Sequence, residues 1–138
     1  MSTFSENSRD TASSSPIPTV LLVDDDITHR TAIAFDFQRK GFRILVAESG
    51  NEAWRIVQSE KVNLVVADIR MANGNGIELL NRIREKYPAF PPVILITAYT
   101  ELGLDGAKDW GAEAVFHKPF DRKALLLASK TAIASQGF

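Results

Sequence analysis

The stretch Leu64-Val65-Val66-Ala67-Asp68, followed by Ile69-Arg70-Met71-Ala72-Asn73-Gly74-Asn75-Gly76, is the part of this sequence that most directly indicates the fold. Four consecutive apolar residues are typical of a strand buried on both faces of a parallel sheet. The two glycines behind them indicate a turn or loop. Asp68 is therefore predicted to lie at the carboxyl end of a strand, which is where ligands bind in open α/β sheets.

The same alternation of a short apolar strand and an amphipathic helix occurs five times from Thr19 onward. The strands are expected at 20–23, 42–47, 64–67, 93–96 and 113–116. The first and fourth helices are expected at 28–40 and 101–110. The second is expected from the cap Ser49 to about 60, the third from Ile77 to the stop at Tyr87-Pro88, and the fifth from the cap Asp121 to about 135. Such repeats pack as a parallel sheet with helices on both faces. We therefore predict an α/β fold of the flavodoxin-like, doubly wound (βα)5 type, with a five-stranded parallel sheet of order 2-1-3-4-5.

The composition is that of one small globular domain. Of 138 residues, 45% are hydrophobic, the net charge is −1 and cysteine is absent. Residues 1–18 are rich in Ser and Thr and are expected to form a disordered N-terminal tail before a single domain at 19–138. The charge predicts no direct contact with nucleic acid, and the lack of cysteine excludes disulfides and thiol catalysis. Since no signal peptide or long apolar run occurs, a cytoplasmic location without membrane contact is expected.

Polar residues that could bind a metal ion or take part in a reaction follow four of the predicted strands. Asp24 and Asp25 follow the first, Asp68 the third, Thr97 the fourth and Lys118 the fifth. In the predicted strand order, the first and third strands flank the topological switch point, so the three carboxylates share one pocket. Their mutual repulsion is relieved by a dication, and Mg²⁺ prefers carboxylate oxygens, water and phosphate. With the hydroxyl and the ammonium, the set can hold a divalent metal and receive a phosphoryl group.

At this point the sequence resembles the receiver domain of two-component response regulators over about residues 19–135. The resemblance is carried by five motifs in order, Val20-Leu21-Leu22-Val23-Asp24-Asp25-Asp26, Leu64-Val65-Val66-Ala67-Asp68, Gly76-Ile77-Glu78-Leu79-Leu80, Ile94-Leu95-Ile96-Thr97-Ala98 and Lys118-Pro119-Phe120. It implies a protein that takes a phosphoryl group from a histidine kinase or phosphotransfer protein. It also implies an output surface on the fourth helix, fifth strand and fifth helix, and contact with a downstream protein partner or a homodimer.

The resemblance assigns a role to each residue of the set. Asp68 is the phosphoacceptor, and Thr97 and Lys118 contact the phosphoryl group. The expected metal, Mg²⁺ or Mn²⁺, is held by Asp24, Asp25, Asp68 and the backbone carbonyl of Arg70. The Lys118-Pro119 bond is expected to be cis. Such a protein is not a conventional enzyme, because it catalyses only its own phosphorylation and a slow autodephosphorylation.

Several positions depart from the pattern of the family, and two others are predicted to affect how long the phosphorylated state lasts. Ala72 and Asn75 stand where proline and aspartate are usual, so the rigidity of that loop is in question. Val115 occupies the switch position, where an aromatic residue is usual, and Phe116 is expected to point to the opposite face. The side chains two residues after Asp68 and Thr97 are Arg70 and Tyr99. We predict that these two large side chains lengthen the lifetime of the phosphorylated state.

Two alternatives stay open. The departures favour a phosphate-independent, receiver-like protein-interaction module, whereas the complete set of five site residues opposes it. The run from Asp24 to Thr28 also fits the D-x-D-x-T pattern of haloacid-dehalogenase-type aspartyl-phosphate enzymes, but that reading gives Asp68 no role and needs a longer chain. Asp26 fits a helix cap as well as an acidic site. His29 and His117 have no metal-ligand spacing and are expected to be structural or solvated.

Overall fold

The computed structural model describes residues 17–71, 73–98 and 111–137. Its elements are the strands β1 (Thr19–Val23), β2 (Arg43–Ala47), β3 (Leu64–Asp68), β4 (Val93–Thr97) and β5 (Ala114–His117) and the helices α1 (Ile27–Arg39), α2 (Gly50–Ser59), α3 (Gly76–Lys86) and α4 (Arg122–Ala134). Residues 1–16 of the predicted tail and the helix predicted at 101–110 lie outside the described residues. The helix predicted to follow the fifth strand is therefore α4.

The five strands form one parallel sheet in the order β2-β1-β3-β4-β5, so the predicted fold and strand order are confirmed. Two strands end one residue later than predicted, because β3 includes Asp68 and β4 includes Thr97. The fifth strand is shifted by one residue to Ala114–His117. Asp68 is aligned with Ile96 in the ladder. Since these positions still belong to the sheet, its hydrogen bonds hold the backbone beneath their side chains.

Alternate residues of each strand enter two separate apolar cores, as expected for a sheet covered on both faces. The core under α2 and α3 contains the strand residues Leu21, Val23, Val65, Ala67, Val93 and Leu95. The core under α1 and α4 contains the strand residues Val20, Leu22, Leu64, Val66, Ile94 and Ile96. All of these strand residues are buried. Within the described part of the chain, no helix is both long enough and apolar enough to cross a bilayer.

Short polar side chains start every described helix. Asp26, Ser49, Asn75 and Asp121 each accept a hydrogen bond from a backbone N–H of the first turn, which satisfies donors that the helix itself leaves unpaired. Asp26 is thus a helix cap, one of its two predicted roles. Gly41, with φ of +89°, follows the end of α1 in the left-handed conformation that favours glycine.

Arg84 joins α3 to the segments before β4 and β5. Its guanidinium donates to three backbone carbonyls, those of Gly111 at 3.0 Å, Tyr87 at 3.3 Å and Pro91 at 2.8 Å. Burial lowers the pKa of Arg84, and the charge of Glu113 opposes that shift. The planar fork of a guanidinium suits this triple contact, which an ammonium cannot reproduce.

Candidate functional site

The carboxyl ends of β1, β3, β4 and β5 bring four predicted site residues to one edge of the sheet. Asp24 directly follows β1, Asp68 and Thr97 are the last residues of β3 and β4, and Lys118 directly follows β5. Thr97 is aligned with His117 in the ladder, so Lys118 comes immediately after the end of the pairing. Parallel strands placed in this order concentrate the polar groups at the topological switch point.

Asp68 is a nearly buried carboxylate, with 6% of its surface exposed. Its Oδ2 accepts a hydrogen bond from Nζ of Lys118 at 2.6 Å, and its Oδ1 accepts one from the backbone N–H of Arg70 at 3.2 Å. Burial raises the pKa of Asp68, and the charge of Asp24 adds to this, while the bond and charge of Lys118 and the Arg70 N–H act in the opposite direction. The net raised pKa means that the ionised carboxylate is held at a cost to the folded state.

Lys118 is fixed both through its backbone and through its side chain. Its N–H donates to the carbonyl of Thr97 at 2.7 Å, and its bond to Pro119 is cis, as predicted. Burial acts to lower the pKa of Lys118, but the hydrogen bond and charge of Asp68, with the charges of Asp24 and Asp26, exceed that effect and raise it. Lys118 is therefore a full positive charge at the pocket at neutral pH.

Asp24 is buried and is held on several sides. Its Oδ1 accepts a hydrogen bond from the N–H of Asp26 at 2.9 Å, and its backbone carbonyl accepts one from Arg30 at 2.7 Å. Its Oδ2 lies 2.6 Å from Nδ1 of His29. These contacts orient the carboxylate toward the edge that carries Asp68.

His29 was expected to be structural or solvated, and its contact with Asp24 was not predicted. The residue is the third of α1, and the turn from Asp24 into the helix brings its ring back to the pocket. The spacing of His29 from the nearby aspartates resembles no metal-binding motif. The one sequence feature that indicates its contact with Asp24 is its position in the first turn of a helix that follows an acidic strand end. His117 ends β5 and is exposed.

The donor atoms of Asp24, His29 and Asp68 all lie within 4.8 Å of one another. Two buried carboxylates with one ammonium nearby form a pocket whose negative charge a divalent cation would balance, and carboxylate oxygens are the donors that Mg²⁺ prefers. The residues present therefore fit such a cation. Asp25 is exposed and lies outside this cluster of three, and its role as a ligand stays a prediction.

The loop after β3 is closed by tight backbone packing and by a reciprocal cap. A Cβ on Gly76 would lie 2.6 Å from the carbonyl oxygen of Asp68, so only glycine fits there without a shift. Asn75 accepts from the N–H of Glu78 at 2.8 Å, and Glu78 accepts from the N–H of Asn75 at 3.0 Å. Asn75 thus anchors the loop to α3 through a capping box. Ala72 lies outside the described residues.

The remaining predicted positions differ in burial or lie outside the described residues. The side chain of Arg70 is exposed, whereas Thr97 is fully buried. Val115 packs against the core under α2 and α3, and Phe116 packs against the opposite core, as strand alternation predicted. Tyr99 lies outside the described residues.

The chain is similar to known proteins in sequence and in structure. A sequence model of the response regulator receiver domain matches residues 20–130. The chain is 36% identical over 117 residues to the transcriptional regulatory protein ZraR of Klebsiella oxytoca, covering 83% of this chain and 26% of that protein. It is 34% identical over 115 residues to the DNA-binding transcriptional regulator NtrC of Proteus hauseri, covering 83% and 24%. The chain thus spans about a quarter of the length of these curated relatives.

A solved structure and the relatives' names add two observations. The response regulator protein TrrA of Thermotoga maritima, solved in complex with Mg²⁺ and BeF, is 31% identical, with a TM-score of 0.76 over 84% of this chain and 99% of that one. The expectation that this protein makes no contact with nucleic acid is not supported by the relatives, since one of them is named as DNA-binding. The net charge alone could not exclude contact with nucleic acid, because a balanced total can hide a basic patch on one part of the surface.

Proposed function

Because the chain belongs to the response regulator receiver family, which acts in two-component signalling, we propose that Asp68 accepts a phosphoryl group from a histidine kinase or phosphotransfer protein. One observation carries the proposal: a nearly buried Asp68 lies 2.6 Å from the ammonium of Lys118 and shares its pocket with Asp24. A buried carboxylate at the end of a parallel strand, with a cation on one oxygen, is placed for nucleophilic attack on an anionic phosphoryl group.

The proposed reaction forms one bond and breaks one. An oxygen of Asp68 attacks the phosphorus of a phosphohistidine, a P–O bond forms and the P–N bond breaks. The donor imidazole leaves with the bonding electron pair and takes up a proton from solvent. Lys118 then transfers its hydrogen bond from Oδ2 of Asp68 to a phosphoryl oxygen, and the hydroxyl of Thr97 donates to another.

The proposed reaction requires a divalent cation bound in the pocket. Asp24, Asp25, Asp68 and the backbone carbonyl of Arg70 would hold Mg²⁺ or Mn²⁺, which neutralises carboxylate and phosphoryl charge when bound. The Mg²⁺ in the solved TrrA complex supports this choice of ion. The same pocket then removes the phosphate slowly by water attack, and Arg70 with Tyr99 would restrict that water.

The proposed output is a shift between two conformations that alters contact with a protein partner or a second copy of the chain. The proposed surface includes β5 and α4 and the segment between β4 and β5. Position 115 is a valine packed against the core under α2 and α3, and because it has no aromatic ring, an aromatic rotamer there cannot transmit the signal. We propose that the backbone following Thr97 carries it instead, and that the protein acts in the cytoplasm.

The test is the intact mass of the protein after incubation with acetyl phosphate and Mg²⁺, with Asp68→Asn and Asp26→Asn beside the wild type. Asparagine caps a helix as well as aspartate does, so Asp26→Asn keeps α1 intact and is a matched control. We expect one phosphoryl group on the wild type and the control, none on Asp68→Asn, and none in EDTA.

Each other outcome has a definite meaning. An adduct that survives Asp68→Asn and is lost in Asp24→Asn would assign the phosphate to Asp24, as in haloacid-dehalogenase-type enzymes. The absence of an adduct on the folded wild type would overturn the phosphoacceptor proposal and favour the phosphate-independent interaction module.

A further inference from the structure

We infer that His29 is a metal ligand of the acidic pocket and that it directs the site toward cations that accept imidazole nitrogen, such as Co²⁺, Ni²⁺ or Zn²⁺, rather than Mg²⁺. The inference rests on the metal site of the proposed function and deepens it. Its observation is the placement of a ring nitrogen of His29 within 4.8 Å of carboxylate oxygens of Asp24 and Asp68. Nδ1 is hydrogen-bonded to Oδ2 of Asp24 at 2.6 Å, and a metal bound at Nδ1 would displace the proton of that bond.

The ring of His29 is held in position from two sides. Its Nδ1 lies 2.6 Å from Oδ2 of Asp24, and its ring packs edge-on against Phe120 with centroids 6.0 Å apart and planes at 76°. Phe120 follows Lys118 by two residues, so the loop that carries the ammonium also supports the imidazole. Three quarters of the side chain are shielded from solvent, since its exposed fraction is 25%. A ring supported in this way directs one nitrogen into the pocket at little entropic cost.

The distances suit a shared cation. Two ligands bound to one ion at about 2.0–2.2 Å lie about 3 Å apart when adjacent and about 4.4 Å apart when opposite. The donor atoms of Asp24, His29 and Asp68 lie within 4.8 Å of one another, and the 2.6 Å contact between Nδ1 of His29 and Oδ2 of Asp24 would lengthen to about 3 Å if both bound one ion. A small movement of the side chains would bring all three donor atoms to one ion.

The donor chemistry decides the preference among metals. Mg²⁺ takes oxygen ligands and gains little from a nitrogen, whereas imidazole suits Co²⁺, Ni²⁺ and Zn²⁺, whose affinities for mixed nitrogen and oxygen sites exceed that of Mn²⁺. A pocket with two carboxylates and one imidazole therefore binds these cations more tightly than a pocket with carboxylates alone. The alternative role for His29 is that of a hydrogen-bond partner which occupies Oδ2 of Asp24 and competes with every cation.

The experiment measures metal affinity without phosphorylation, by calorimetric titration of the full chain with Co²⁺ and separately with Mg²⁺ at one fixed pH. The variants are His29→Leu, which removes the nitrogen and keeps an apolar contact with Phe120, and His117→Leu as the matched control. His117 is the second of the two histidines in the chain and lies outside the donor cluster. A second variant, His29→Gln, and circular dichroism spectra check that the effect is not a loss of fold.

We expect His29→Leu to weaken Co²⁺ binding by about tenfold or more, and Mg²⁺ binding by no more than about threefold. His117→Leu should change neither. On protein labelled with ¹⁵N-histidine, Mn²⁺ should show hyperfine coupling to one ring nitrogen in pulsed EPR, and His29→Leu should abolish it. Equal changes for both metals, or tighter binding of both in His29→Leu, would overturn the inference and assign His29 to the competing role.

The outcome is separable from that of the proposed function. A wild type that binds neither cation would overturn the metal site and this inference together. The protein could instead show Co²⁺ selectivity that depends on His29 and yet not be modified by acetyl phosphate. That result would support the inference and overturn the phosphoacceptor role of Asp68.

Discussion

Replacing the buried acid of the site by its neutral isostere should stabilise the folded protein when divalent cations are absent. In the wild type, burial raises the pKa of Asp68, the charge of Asp24 adds to the shift, and Lys118 offsets it only in part. The ionised carboxylate is therefore less favourable in the folded chain than in the unfolded chain. Asp68→Asn removes the charge and keeps one oxygen, which can accept from Lys118 or from the Arg70 N–H but not from both, since the two donors contact different oxygens of Asp68.

The size of the effect follows from opposing terms. Carboxylate oxygens of Asp24 and Asp68 lie no more than 4.8 Å apart, and at an effective dielectric of about 20 two unit charges at that distance repel by about 3.5 kcal/mol. The attraction to Lys118 offsets much of this repulsion, and the lysine is partly exposed and so partly screened. We expect a net gain of about 1 kcal/mol in the free energy of unfolding. Stabilising substitutions commonly give gains of this size, and function is lost where activity needs the destabilised residue.

The pH dependence has a definite sign. The folded-state pKa of Asp68 is raised above its unfolded value, so the wild type loses stability as the pH rises through the folded pKa. The advantage of Asp68→Asn is therefore full at neutral pH. It should shrink as the pH falls through the folded pKa toward the unfolded value of about 3.9, since the wild type then takes up the proton.

The assay is urea unfolding followed by circular dichroism in EDTA, from neutral pH down to about pH 4.5, with Asp26→Asn as a control that should match the wild type. A saturating divalent cation should reverse the order, because binding at 100 times the Kd stabilises the wild type by about 2.7 kcal/mol and the variant by less. A wild type more stable than Asp68→Asn in EDTA at neutral pH, or a difference independent of pH, would refute the reasoning.

Three further predictions concern residues around the site. Arg84→Met should lower the free energy of unfolding by about 2 kcal/mol in urea titrations, because three backbone carbonyls lose a charged donor, and Arg84→Lys should recover little of it. Gly76→Ala should lower the free energy of unfolding by about 1–3 kcal/mol and reduce phosphorylation by acetyl phosphate, since the added Cβ would press on the carbonyl oxygen of Asp68. Wild-type stability in this variant would contradict that packing. The double variant Arg70→Ala, Tyr99→Ala should lose its Asp68 phosphate faster than the wild type by intact mass, and equal decay would exclude a lifetime role for the pair.

The fold was predictable because its signals are local and repeated. Each strand is a short apolar run, and each described helix starts at a capping residue such as Ser49 or Asp121. Right-handed crossovers then leave few strand orders. The errors were of single residues at strand ends, where an aspartate or threonine continues the ladder although its side chain is polar. Hydropathy ends a strand at the last apolar residue, whereas hydrogen bonding ends it at the last paired one.

The sequence by itself determined which residues stand at strand ends, and thereby placed Asp24, Asp68, Thr97 and Lys118 at one edge of the sheet, because parallel strands deliver their carboxyl ends to the same side. Only the tertiary structure decided which of these groups touch. It paired Lys118 with Asp68 and brought His29 against Asp24 through a turn between strand and helix. Such contacts depend on distances of a few ångströms between elements far apart in the chain or across a turn, and neither periodicity nor spacing carries that information.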